Sequence, residues 1–464
     1  MRVNDLLALA VMLGIAVQTP AREAAAPQLP GNEVITRILQ ERIDTYKKSH
    51  GIVVGMIGPE GTRTVAWGKF KEDDPRKPDA DSVYEIGSIS KVFTSLLLAD
   101  MVIRGEVELD DPLSKYLPRS VTMPIRHGKE ITLLDLATHT SGLPRMPGNF
   151  HPNDRSNPYA DYTVEQMYRW LSKCKLTRDA GAKYEYSNLG AGLLGHVLAL
   201  RAGTNYETLL RQRITEPLGM ASTFITLTPE FRARLVPGHN DSLRPAPNWD
   251  FSALVGAGAI RSTVNDMLKF LAVCLGYDKT PLAPAMDKML EVRRPTGEPS
   301  LQIALAWDIL SHGADQIVWH NGGTGGYHSF VGFDPKRRIG VVVLSNSTGS
   351  IDDIGLHILD SRLPLLSLAP PKPRKEIKLD RRALDVFVGR YQLSTGLLLA
   401  ITRERDHLVV HPTDQPKFRL HPEGDRDFFL KEIDAQITFV TDQKGVVTHL
   451  ILHQNGDVKG MKLP

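Results

Sequence analysis

Ser88-Ile89-Ser90-Lys91 sets a hydroxyl and an amine three residues apart. On a helix that spacing puts both side chains on one face, within reach of each other. A serine hydroxyl alone is a weak nucleophile, but an amine whose pKa is lowered by burial can take its proton, so the pair has the makings of covalent acyl transfer. A helix that starts here would also bring its positive end to bear on developing negative charge. The same four-residue pattern arises as a capping serine followed by a surface lysine, so the surroundings have to decide. Three other features could do chemistry. Tyr184 and Tyr186 lie two apart, although a tyrosine among apolar neighbours commonly serves packing. His139, with Asp135 and Ser88, supplies the residue types of a triad. The stretch Gly322-Gly323-Thr324-Gly325-Gly326 would allow close approach of backbone to a ligand, or simply a turn.

The flanking residues predict how these groups are held. Val83 to Ile86 reads as extended chain, giving way after Gly87 to a helix whose apolar positions Val92, Phe93, Leu96, Leu97 and Met101 have helical spacing and whose stop is Gly105. Upstream, two β-rich runs flank Pro59-Glu60-Gly61 and predict a hairpin between Gly51 and Phe70. A second β-rich block spans Ile317 to Asn346, and most of the chain between the two blocks reads as helical. Sheet at both ends with helices between predicts an α+β domain. The Pro-, Asn- and Asp-rich loop from Met146 to Asp161 is expected to border the cleft and to affect substrate choice. Pro370, Pro371 and Pro373 mark a stiff linker, after which short alternating runs from Leu397 to His453 predict a small antiparallel sandwich or barrel.

The segment Glu85 to Thr94 around Ser88 and Lys91 resembles the nucleophile segment of the class C β-lactamase and DD-peptidase family of serine hydrolases. Asp110-Asp111-Pro112-Leu113-Ser114-Lys115-Tyr116-Leu117-Pro118 and the run Leu133 to Pro144, which contains His139-Thr140-Ser141-Gly142-Leu143-Pro144, are similar to stretches that follow it there. Tyr186-Ser187-Asn188 matches the family's Y-x-N element, and the likeness runs in consistent order over residues 33 to 365. The resemblance implies a β-lactamase-like antiparallel sheet with a helical subdomain. It implies Ser88 as nucleophile, Lys91 as general base, Tyr186 as general acid and base with Tyr184 as the fallback, and Asn188 as the holder of a substrate amide. An ammonium at Lys91 would draw the Tyr186 phenol toward its ionised form. In place of the family's Lys-Thr-Gly the chain has His320-Asn321-Gly322, followed by Gly323, whose N–H would form an oxyanion hole with that of Ser88. An imidazole attracts a carboxylate less than an ammonium does, which speaks for D-alanyl peptides or esters over β-lactams. The Thr138 to Pro144 stretch resembles a structural loop of the family, which speaks against a triad through His139. The β-rich tail resembles lipocalin-like domains appended to some of these hydrolases, where it would gate the cleft or mediate self-association.

Bulk properties narrow the alternatives. A chain of 464 residues exceeds one ordinary core, and 42% hydrophobic with 23% charged residues is an ordinary globular balance. A formal charge of +3 without a basic face excludes nucleic acid as the expected partner. Arg2, the apolar run Leu6 to Val17 and the small residues Ala24 to Ala26 have the layout of a secretory signal, too short to span a bilayer, so export to the periplasm or medium is expected. Cys174 and Cys274 are expected to be packed thiols, and no metal or other cofactor is expected. The expected organisation is a signal peptide at 1–22, a hydrolase domain at 33–368, a linker at 369–376 and a β domain at 377–464. A non-catalytic protein that binds peptidoglycan peptides is the rival to an enzyme. Oligomeric state is left open by the sequence.

Overall fold

The strand Gly51–Gly58 is buried along its whole length, and the two faces of its pleat meet different cores. Val53 and Ile57 pack with the helical side of the molecule, whereas Ile52, Val54 and Met56 pack with the other side. Ile339–Ser345 divides in the same way, Val342 and Leu344 against Val341 and Val343. Covered on both faces, these strands read as continuous apolar runs instead of alternating ones. The computed structural model describes residues 29–368, 374–393, 398–412, 417–431, 435–453 and 457–463. The expected signal sequence and most of the linker lie outside the described residues.

Eight antiparallel strands form the main sheet, in the order Gly61–Gly68, Gly51–Gly58, Ile339–Ser345, His328–Asp334, Asp315–Gly323, Asp308–His312, Leu301–Ile303 and Arg294–Pro295. The N-terminal hairpin thus joins the later block as the sequence predicts, while the last three strands of this order extend it beyond the predicted region. One face is covered by Asn32–Gln40, its continuation Glu41–Thr45 and Asp352–Leu359, and a buried Arg42–Asp353 ion pair of 2.5 Å ties that continuation to the helix Asp352–Leu359. The other face carries the helical subdomain, in which Ser90–Ile103 and Asn188–Ala202 are buried nearly throughout. Such helices have no solvent face to make polar, which accounts for sequences that are mostly apolar all round.

A second core belongs to the C-terminal part alone. Eight antiparallel strands from Gly389–Leu393 to Asp457–Lys462 close into a barrel, the first strand pairing with both the second and the last. Tyr391, Ile401, Leu408, Leu420, Phe428, Phe439 and Leu450 fill it. The closed barrel is one of the two architectures expected for the tail, and closure removes exposed strand edges. Among the described residues no helix is long and apolar enough to cross a membrane.

Candidate active site

Ser88 sits in a single 3-10 turn, Gly87–Ile89, between the short strand Tyr84–Glu85 and the helix Ser90–Ile103. Tyr84–Glu85 pairs with Arg261–Ser262, and the Ile86 N–H donates to the Ile260 carbonyl at 3.0 Å. A buried ion pair between Glu85 and Arg261, 3.1 Å apart, backs this lead-in, and the same Glu85 carboxylate accepts the Trp249 N–H at 3.0 Å. The turn that presents the hydroxyl is therefore fixed from both sides.

Lys91 lies in the first turn of that helix, only 1% exposed, and its Nζ donates to the Ser88 Oγ at 2.9 Å and to the Ala257 carbonyl at 2.6 Å. Ala257 gets this close because glycine faces glycine: a Cβ on Gly256 would stand 3.0 Å from the Gly195 Cα. Burial, helped by the Arg145 charge, holds the Lys91 amine well below its ordinary pKa. Burial thus disfavours the ammonium and favours the neutral amine, the form able to take a proton.

Tyr186 packs against Lys91, whose Nζ lies 4.9 Å from the ring centroid, and burial pushes its phenol up, with a hydrogen bond to Ser88 opposing the rise. The expected lowering by a Lys91 ammonium is absent because desolvation dominates and the amine itself resists charging. Tyr186 therefore stands protonated, as a proton donor. Tyr184 is pushed up likewise and stands edge-on to His139 at 6.0 Å. Asn188 opens the helix Asn188–Ala202 behind its cap Ser187, donates from Nδ2 to the Tyr159 hydroxyl at 3.0 Å, and leaves its buried Oδ1 unpartnered among the described residues.

His320 lies on Asp315–Gly323, where its Nδ1–H donates to the Asn321 carbonyl; burial first, and then Lys91, lower its pKa to about 4. It is neutral across the ordinary working range. Gly87 and Gly322 let this strand end touch the Ser88 turn: a Cβ on Gly87 would come within 2.7 Å of the Gly323 nitrogen, and one on Gly322 within 2.0 Å of the Ile86 carbonyl oxygen. Ser88 and Gly323 line one 80 Å³ cavity with Arg145, Tyr159, Asn188, Trp249, Phe251, Ala257 and Gly258. A larger cavity of 630 Å³ beside His50 and Trp67 shares none of these residues and holds no activated nucleophile, so chemistry rather than size locates the site.

His139 is buried beside Tyr186, with ring centroids 4.5 Å apart, and its Nδ1 accepts the Ser187 N–H at 3.2 Å. Asp135 is engaged elsewhere, capping its helix at Thr132 and pairing with Arg294 at 2.8 Å, so it does not orient a triad. The loop Met146 to Asp161 does border the cleft, through Tyr159. Arg145, Trp249 and Phe251 were not foreseen; nothing in their sequence neighbourhood distinguishes them from loop or packing residues. Cys174 and Cys274 are free thiols, and no cluster that could hold a metal occurs among the described residues.

Residues 37–359 match the Beta-lactamase family, and residues 373–463 match a domain of unknown function, DUF3471. The D-alanyl-D-alanine-carboxypeptidase/endopeptidase AmpH of Escherichia coli strain K12 is 31% identical over 293 residues, covering 60% of this chain and 74% of that relative. The crystal structure of a β-lactamase/D-alanine carboxypeptidase from Yersinia pestis, complexed with citrate, is similar with a TM-score of 0.62 and 29% identity over 72% of this chain and 99% of that one. The octameric penicillin-binding protein homologue from Pyrococcus abyssi, at 21% identity, shares the fold with a TM-score of 0.65 over 92% of this chain and 99% of its own.

Proposed function

Since the chain belongs to the Beta-lactamase family, we propose that it is an exported serine hydrolase that cleaves D-alanyl peptides through an acyl-enzyme on Ser88. The observation that carries this reading is the 2.9 Å contact between the Ser88 hydroxyl and a buried Lys91 amine whose pKa is depressed. Ser88 Oγ attacks the carbonyl carbon while its proton passes to Lys91 Nζ. The Ser88 and Gly323 N–H groups hold the resulting oxyanion. Collapse breaks the C–N bond as the Tyr186 phenol protonates the leaving amine, and the Lys91 ammonium returns a proton to the phenolate. Water then attacks the acyl-enzyme with the same groups acting in reverse, releasing acid and free Ser88. Asn188, with its free Oδ1, holds the substrate amide N–H. The relatives named above as carboxypeptidases support the peptide substrate.

Neutral His320 favours one further reading, a carboxylesterase of the same family, over a β-lactamase, because no ammonium stands where the family usually has lysine. A binding protein without turnover has no use for a depressed amine against a serine hydroxyl. Intact-mass spectrometry after incubation with a penicillin, beside turnover of a chromogenic ester, tests the proposal. The expected result is ester turnover and a drug adduct in the wild-type protein, both lost in Ser88→Ala. Opened drug without an adduct would point to a β-lactamase, and ester turnover that survives in Ser88→Ala would refute the mechanism.

A further inference from the structure

Burial disfavours the charged form of two of the basic groups around Ser88, namely Lys91 and His320. Lys91 is buried, its amine held well below its ordinary pKa, and it already donates to Ser88 and Ala257. His320 is buried, its pKa lowered to about 4, and it spends its Nδ1–H on the Asn321 carbonyl. The third is Arg145. Its guanidinium is permanently charged by its chemistry. It lines the same cavity as Ser88, Asn188 and Gly323, lies 5.1 Å from the Tyr186 ring centroid, and is exposed to the cleft. Among the described residues no carboxylate lies within ion-pair distance of it, so its charge faces the cleft without a protein counter-ion.

Its backbone is fixed to the catalytic framework. The Arg145 carbonyl accepts the N–H groups of Asn188 at 3.0 Å and Leu189 at 3.2 Å, so the residue is anchored to the start of the helix that presents Asn188. The charge reaches the reacting groups as well, since it contributes to the shifts of Lys91, His139 and Tyr159. A cation without a counter-ion, held at a cavity wall beside a nucleophile, is a binding site for an anion, and a guanidinium fork matches a carboxylate in two parallel hydrogen bonds.

We infer that Arg145 is the carboxylate anchor of this site, taking over the role that His320 cannot perform and selecting substrates whose leaving group ends in a free carboxylate. This rests on the acyl-enzyme reading of Ser88. It makes the protein a hydrolase of C-terminal residues, preferring a peptide or ester with a free terminal carboxylate to the same compound capped. The competing role for Arg145 is structural, a cation resting on the Tyr186 ring, and it affects capped and uncapped substrates alike.

The test uses the full-length protein and two D-alanyl thioesters that differ only in the leaving group, one ending in a carboxylate and the other in its methyl ester. kcat/KM is measured on both for wild type, Arg145→Gln, Arg145→Lys and Ser88→Ala. Wild type is expected to favour the anionic thioester. Arg145→Gln is expected to reduce that preference by about 10–100-fold, mainly through KM, as loss of a charged hydrogen-bonded pair requires. Arg145→Lys keeps part of the preference because a point charge remains. An unchanged ratio of the two rates in Arg145→Gln overturns the anchor and leaves the Ser88 mechanism standing. Turnover that persists in Ser88→Ala, or no turnover of either thioester by wild type, overturns the Ser88 mechanism and the anchor with it.

Discussion

Lys91, Tyr186 and His320 are all displaced first of all by burial, so the site works by desolvation. Asp308 extends the pattern. It opens the strand Asp308–His312, its charge bears on Tyr184 and Tyr186, its Oδ1 is buried without a hydrogen-bond partner among the described residues, and burial pushes its carboxyl up to about 7. A carboxyl with a folded pKa above its unfolded one favours the fold while protonated, and that advantage falls as pH rises from about 4 to about 7. Asp308→Asn is therefore expected to match wild type near pH 4 and to become more stable by on the order of 1–3 kcal/mol at pH 8. Thermal melts across that range check this; a constant difference in Tm would show that the carboxyl does not titrate there. Asp308 was not legible in the sequence, because what distinguishes it is burial next to two tyrosines more than 100 residues away. Ser88, Lys91, Tyr186, Asn188 and His320 were legible because each falls within a short motif whose order along the chain is itself informative, although the protonation states of Tyr186 and Lys91 emerged only with the packing.

Between elements, the decisive contact is that of the nucleophile turn with the end of Asp315–Gly323. A Cβ at Gly322 would lie 2.0 Å from the Ile86 carbonyl and 2.5 Å from the Ser329 Oγ, whereas one at Gly323 would meet nothing closer than 3.9 Å. Gly322→Ala is expected to force strand and turn apart, at a cost of about 1–3 kcal/mol in stability and, if the proposed oxyanion hole operates, about 100-fold or more in kcat, since donors moved by an ångström would no longer meet the oxyanion. Gly323→Ala is expected to fold with nearly the wild-type Tm. Equal melting and equal turnover for the two variants would remove this close approach from the account. The strands next to this contact were legible as long apolar runs. Arg294–Pro295, Leu301–Ile303 and Asp308–His312 were not, because they are short and partly polar, lie toward the sheet edge and include a proline, all features that sequence patterns assign to loops. The first and last barrel strands were missed for a related reason: Gly389–Leu393 and Asp457–Lys462 have polar outward positions and little length, and only their pairing with each other closes the barrel.

At the scale of the molecule the cores remain separate. The two clusters around the main sheet draw on residues up to Leu359, whereas the barrel core begins at Leu384. Arg374, at the entrance to the barrel, pairs with Glu423 inside that same unit at 2.9 Å. We propose that the chain folds as two units joined by the proline-rich segment near 370, since few residues are available there to transmit cooperativity. Phe439 provides the means to test this, because it packs against the rings of Phe387, Tyr391 and Phe428 and is nearly fully buried. Phe439→Ala is expected to cost the barrel about 3–5 kcal/mol through lost contacts and a residual cavity. Scanning calorimetry of the full chain should then show two transitions, of which the substitution lowers one and leaves the other in place, with ester turnover following the unmoved transition. A single transition that shifts as a whole would mean that the barrel and the hydrolase unit unfold together, and the tail would have to be treated as part of the enzyme's own stability.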